Sequence, residues 1–81
     1  MDFKTELGQR IQNLRESKGL SRQEICDLEE VLTTRQLQRI EKGQSLPMIA
    51  TAKYIADKLD VSLDVLANNK DVYKRQHLNL F

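Results

Sequence analysis

Residues 21–43, SRQEICDLEEVLTTRQLQRIEKG, decide how this chain folds. Ser21 and Glu24 stand at capping-box spacing, where a hydroxyl and a carboxyl side chain each take up a free N–H at a helix start. Leu20 precedes them, at the place of a staple residue. The helix they open carries Ile25, Cys26 and Leu28. Residues 28–33 have no helical period and read as a turn. Thr33 or Thr34 can cap a third helix, with Leu37 and Ile40 facing inward, and Gly43 ends it. The segment therefore reads as helix, tight turn, helix.

The same 3.6-residue period extends outward on both sides. Phe3, Leu7, Ile11 and Leu14 recur at steps of four, four and three, one apolar stripe on a first helix that Gly19 stops. Pro47 sits where the first turn of a fourth helix would begin. That helix is expected to run to about Leu59, with Ile55, Ala56 and Leu59 on its core side. A fifth short helix, capped by Ser62, carries Leu63, Val65 and Leu66. No alternation lasts four residues, so nothing reads as a strand. The expected fold is all-α, five short helices in one domain over residues 1–67. Residues 68–81 show no clear period and no cap. The stretch DVYKRQ at 71–76 resembles a translated sequencing adapter. The tail is therefore expected to be an unnatural read-through, with the natural chain cut just past Leu66 and once longer. The other reading is a genuine polar tail with an apolar end.

Composition narrows the function. The chain has 81 residues, 40% hydrophobic and 31% charged, which suits one small globular domain. Aromatics are only 5%, without Trp, which speaks against an aromatic-walled enzyme pocket. The one cysteine, Cys26, forbids an intrachain disulfide and suits a reducing cytoplasm; it reads as a small core residue. With one His besides, no four-ligand Cys/His zinc site can form. His77, the only candidate base of its kind, lies outside the domain, and the three glycines are isolated, so neither a nucleophilic triad nor a phosphate loop is legible. No enzyme activity, metal or cofactor is expected. No apolar run reaches the ~18–20 residues of a membrane span, and Asp2 and Glu6 interrupt any signal peptide. Cytoplasmic location follows as the expectation.

Charge gives no bulk signal. The net value is +1, yet through Leu66 ten Lys/Arg face eleven Asp/Glu. A nucleic-acid surface must therefore be a local patch. The third helix offers one. Thr34, Arg35 and Gln36 begin it, and Gln38 and Arg39 follow on the next turn. A major groove about 12 Å wide accepts such a helix; Arg pairs bidentately with guanine and Gln with adenine. The bland alternative is ordinary solvation of an outward face.

A resemblance favours the groove. Gly8, Ile11, Arg15, Gly19-Leu20-Ser21, Ile40-Glu41-Lys42-Gly43, Pro47, and Ala56 to Leu59 followed by Val61-Ser62 and Leu66 form an ordered set. It resembles the lambda-repressor-like helix-turn-helix domain of Cro/cI-type (XRE) regulators over residues 7–66. Three features depart from that pattern. One extra residue lies between Ser21 and Glu41, Ile25-Cys26 replaces a Leu-Ala pair, and residues 29–32 (EEVL) replace a glycine turn. With residues 32–47 and Tyr54 to Ala56, they are closest to the Rgg/ComR-type peptide-sensing regulators of Gram-positive bacteria.

The resemblance implies roles. Thr34, Arg35, Gln36 and Arg39, with Gln38 beside them, match positions that reach base edges. Arg22, with Gln23, matches a phosphate position at the start of the second helix. Lys42 and Ser45 are further phosphate candidates, though Lys42 is equally a cation favoured at a helix end. Arg15 and Glu41 match an ion pair between helices 1 and 3, so Arg15→Ala is expected to leave Glu41 unpaired and Glu41→Gln to cost less. Glu29 and Glu30 are expected to face away from the duplex. The implied partners are double-stranded DNA, a second copy of the chain on a two-fold site, and a peptide pheromone bound by a C-terminal domain that this sequence lacks. Two alternatives stay open: an antitoxin-like protein-interaction module, and a single-strand or RNA binder, which the scarcity of aromatics disfavours.

Overall fold

The computed structural model describes residues 2–67; the adapter-like stretch and His77 lie outside them. Four helices run in order: α1 (Phe3–Ser17), α2 (Arg22–Ile25), α3 (Thr34–Glu41) and α4 (Ile49–Lys58). A fifth helical stretch, α5, covers residues 63–67. Among the described residues there is no strand, and the fold is all-α.

Local chemistry sets the helix starts. Asp2 caps α1, its Oδ1 accepting from Thr5 N at 2.9 Å. Ser21 and Glu24 make the reciprocal capping box of α2, at 3.1 and 2.8 Å. Thr33, not Thr34, caps α3: its hydroxyl accepts from Gln36 N at 3.1 Å, while Gln36 Oε1 accepts from Thr33 N at 3.0 Å. Ser62 caps α5 through Val65 N. Asp60 takes a left-handed φ of 58° as the chain leaves α4, a conformation Asp tolerates better than most side chains.

Three sequence expectations move. Phe3 stands 50% exposed, because α1 begins to meet the core only at Leu7. The second helix is a single turn: Cys26 already leaves helical geometry at ψ 44°, so Leu28 falls in the loop and is exposed. The fourth helix starts two residues after Pro47, since Met48 is extended at ψ 161° and supplies no side-chain cap.

The core forms where the five stretches converge. Ile11, Ile25, Leu37, Ile55, Leu59 and Leu66 are all buried side chains, and Leu14, Leu20, Tyr54 and Val61 pack around them. Leu32 plugs the end of the α2–α3 loop into this core. The principal helix packing is α1 on α3, which leaves the opposite side of α3 to solvent.

Candidate nucleic-acid interface

At about 100° per residue, Leu37, Ile40 and Glu41 share the inner side of α3, and all three are buried. Thr34, Arg35, Gln38, Arg39 and Lys42 then occupy one contiguous outer arc, exposed except for the half-buried Thr34. Two shallow grooves run along this arc. One lies between α2 and α3, lined by Arg15, Ser21, Arg22, Gln23, Thr34, Arg35 and Gln38. The other is lined by Arg35, Gln38, Arg39, Lys42 and Gln44. Arg35 and Gln38 border both, so the grooves join across the helix. No carboxylate belongs to either lining. A near-neutral domain thus gathers four partly or fully exposed cations, Arg22, Arg35, Arg39 and Lys42, on one side.

Two residues named from the sequence stand apart from the grooves. Gln36 lies on the flank of α3 and lines neither; its amide oxygen is engaged in the cap of Thr33. Bidentate pairing with adenine uses both ends of that amide. Ser45 is half-buried and also absent from the linings, whereas Gln44, which sequence reasoning missed, borders the second groove. Its only signal was position, directly after the glycine that ends α3.

Beneath the arc lies a buried cluster of charge. The Glu41 side chain is wholly shielded from solvent. Its Oε2 accepts from Arg15 Nε at 2.7 Å, and its Oε1 accepts from an Arg15 terminal nitrogen at 3.2 Å and from Arg22 Nε at 3.0 Å. Arg15 also donates to the Leu20 carbonyl at 2.8 Å. The hydrogen bond to Glu41, opposed by burial, raises the Arg15 pKa from its ordinary value. Arg22 is thus a second partner, so Arg15→Ala would not leave Glu41 alone as the sequence reading had it.

The loop that presents α3 is fastened from the other side. Tyr54 Oη lies 2.7 Å from the Ile25 carbonyl and 2.7 Å from Asp27 Oδ1, and accepts from Leu28 N at 3.2 Å. Lys58 Nζ reaches Asp27 Oδ2 at 2.7 Å and stands 5.7 Å from the Tyr54 ring centre, in cation–π range. The Lys58 and Tyr54 hydrogen bonds hold the Asp27 carboxyl below its usual pKa. Burial pushes the pKa of the Cys26 thiol up, which disfavours the thiolate. Among the described residues, no group of three or more His, Cys, Asp or Glu is placed to hold a metal, and no helix is long and apolar enough to cross a membrane.

Known proteins resemble this chain in sequence and in fold. The chain is 40% identical over 58 residues to the uncharacterized HTH-type transcriptional regulator RP497 of Rickettsia prowazekii, covering 72% of this chain and 44% of that one. It is similar to the apo form of the competence regulator ComR from Streptococcus vestibularis, at 37% identity and a TM-score of 0.81. That match covers 98% of this chain and 28% of the ComR chain. The chain therefore spans less than half the length of either relative. The helix-turn-helix family (HTH_3) matches residues 11–66, which hold the capped α2, the α3 arc and the helices that pack behind them, and the chain belongs to that family.

Proposed function

We propose that this chain is the DNA-reading part of a transcriptional regulator, with α3 entering the major groove of double-stranded DNA. The observation that carries the reading is the joined, carboxylate-free trough across the outer arc of α3. Thr34, Arg35, Gln38 and Arg39 are the base-reading side chains. Arg and Gln there supply the donor and acceptor pairs that separate one base edge from another. Arg22, Gln23, Lys42 and Gln44 border the arc and take the phosphates, which fix register without reading sequence. Gln36 serves the cap of α3, and Ser45 is left outside the contact set. Glu29 and Glu30, exposed on the α2–α3 loop and absent from both grooves, face away from the duplex.

Few cations imply modest affinity for one copy. We assign two copies to a two-fold site with half-sites one helical turn apart. The likeness to ComR extends the reading to a longer, peptide-responsive regulator working in the cytoplasm, without catalysis of its own.

Selection from a random double-stranded DNA pool tests this, using the chain fused to a neutral dimeriser beside an Arg35→Ala/Arg39→Ala version. Enrichment of a two-fold motif by the first alone supports α3 as the reader. No enrichment from a folded, dimeric protein overturns the reading in favour of a protein-interaction module.

A further inference from the structure

We propose that Glu41 is a positioning residue for phosphate binding: its buried carboxylate grips Arg22 by Nε and presets the rest of that guanidinium at the groove between α2 and α3. The inference rests on the DNA-binding reading and deepens it, by assigning the strength of one phosphate contact to a side chain that touches no DNA.

The argument begins with the count of charges. One buried carboxylate, Glu41, faces two guanidinium groups, and the exposed Glu16 reaches only Arg15, at 3.8 Å, so around Glu41 itself positive charge is in surplus. Arg15 is not where that surplus is usable. Its side chain is nearly buried, and Nε and both terminal nitrogens are taken by Glu41 and the Leu20 carbonyl. Arg22 differs. Its side chain is about one third exposed and lines the groove, and only its Nε is engaged, with Glu41 Oε1. Its two terminal nitrogens make no hydrogen bond among the described residues. They keep the parallel donor edge that matches a phosphate.

Holding Arg22 in advance matters because a free arginine loses rotamer freedom when it binds. Glu41 imposes that order during folding, before DNA arrives. A lysine could not substitute. Its ammonium is a single point, drawn either to Glu41 or to a phosphate, whereas a guanidinium can offer one nitrogen to each.

The test uses the whole chain and a labelled random-sequence duplex, titrated with salt, so that phosphate contacts alone are read. Wild type is compared with Arg22→Ala, Arg22→Lys, Glu41→Gln and the Arg22→Ala/Glu41→Gln pair. Arg22→Ala is expected to lower the slope of log affinity against log salt by about 1. Arg22→Lys is expected to lose most of the same affinity despite keeping its charge. Glu41→Gln, with helical circular dichroism retained, is expected to mimic Arg22→Ala, and adding Arg22→Ala to it should cost less than about twofold more.

An Arg22→Lys protein that keeps both slope and affinity overturns the inference, as does an Arg22→Ala protein with an unchanged slope or an Arg22→Ala loss undiminished in the Glu41→Gln background. Should Glu41→Gln unfold the chain, Arg22→Lys decides alone, because Arg15 still pairs with Glu41 there. Wild type that fails to bind duplex at any salt removes the DNA-binding reading and this inference together. Salt-dependent wild-type binding with a tolerant Arg22→Lys removes only the inference.

Discussion

Gly8 of α1 lies directly against the carbonyl oxygen of Ile40 in α3. A methyl group at position 8 would also stand 2.8 Å from the Glu41 carbonyl oxygen, and closer still to that of Ile40. Both obstacles are backbone, which cannot swing aside as a side chain would. The absence of a side chain at Gly8 therefore sets how closely α1 approaches the end of α3.

Gly8→Ala should consequently force α1 and α3 apart, although alanine is the better helix former. Overpacking in a tight core costs about 1–3 kcal/mol, and backbone-on-backbone contact belongs at the upper end. In a domain of this size that corresponds to a midpoint lowered by roughly 10–20 °C. Thermal unfolding by circular dichroism checks it; an unchanged midpoint would mean that the two helices separate without penalty.

Tyr54→Phe isolates the fastening of the α2–α3 loop. The ring stays, and only the hydroxyl that meets the Ile25 carbonyl, Asp27 and Leu28 N is lost. The expected cost is about 1–2 kcal/mol, since a hydrogen bond is worth roughly 1 kcal/mol net and its partners regain only part of it from water. Hydrogen exchange at the Leu28 amide should quicken before that of the core amides. Equal acceleration everywhere would assign the hydroxyl to global stability and not to the loop.

Acid should weaken the fold through three carboxyl groups at element ends. Asp2 is held below its ordinary pKa by its hydrogen bonds with Thr5, Glu24 by those with Ser21, and Asp27 by Lys58 and then Tyr54. A carboxyl whose folded pKa is depressed stabilises the fold above its unfolded pKa and loses that contribution as pH falls through the folded value. The unfolded values are 3.8 for Asp and 4.5 for Glu, so stability should hold above about pH 5 and decline below about pH 4. Urea midpoints measured across that range should fall less steeply for Asp27→Asn, which starts lower. Parallel curves for the two proteins would remove Asp27 from the account.

Much of this architecture was legible because it rests on neighbours in sequence. The box of Ser21 and Glu24 and the inner pair Leu37 and Ile40 follow from spacing within one or two turns. What escaped was set by residues far apart. Arg22 and Glu41 meet across 19 positions, so Glu41 read as the partner of Arg15 alone. Tyr54 reaches Asp27 and Leu28 of the loop across 27 and 26 positions, and α2 ends after one turn with the apolar Leu28 left in that loop. Gln36 is the opposite case: its amide oxygen is engaged in the capping box with Thr33, a local pattern that its spacing already contained.

The double grip on Glu41 yields a last prediction, about coupling. A buried pair that loses its only partner is destabilised by about 3–5 kcal/mol, because an uncompensated charge remains. Here Arg22 still faces Glu41 when Arg15 is gone, so Arg15→Ala should cost less, about 2 kcal/mol. Arg22→Ala should cost about 1 kcal/mol or less, because its side chain is one third exposed and Arg15 still holds both carboxylate oxygens. The double variant leaves Glu41 with neither, so it should lose about 1–2 kcal/mol beyond the sum of the two. Denaturant unfolding of the four proteins gives the coupling directly. Additive losses would mean that water or another donor reaches Glu41 once Arg15 leaves, and that the carboxylate does not depend on the two arginines together.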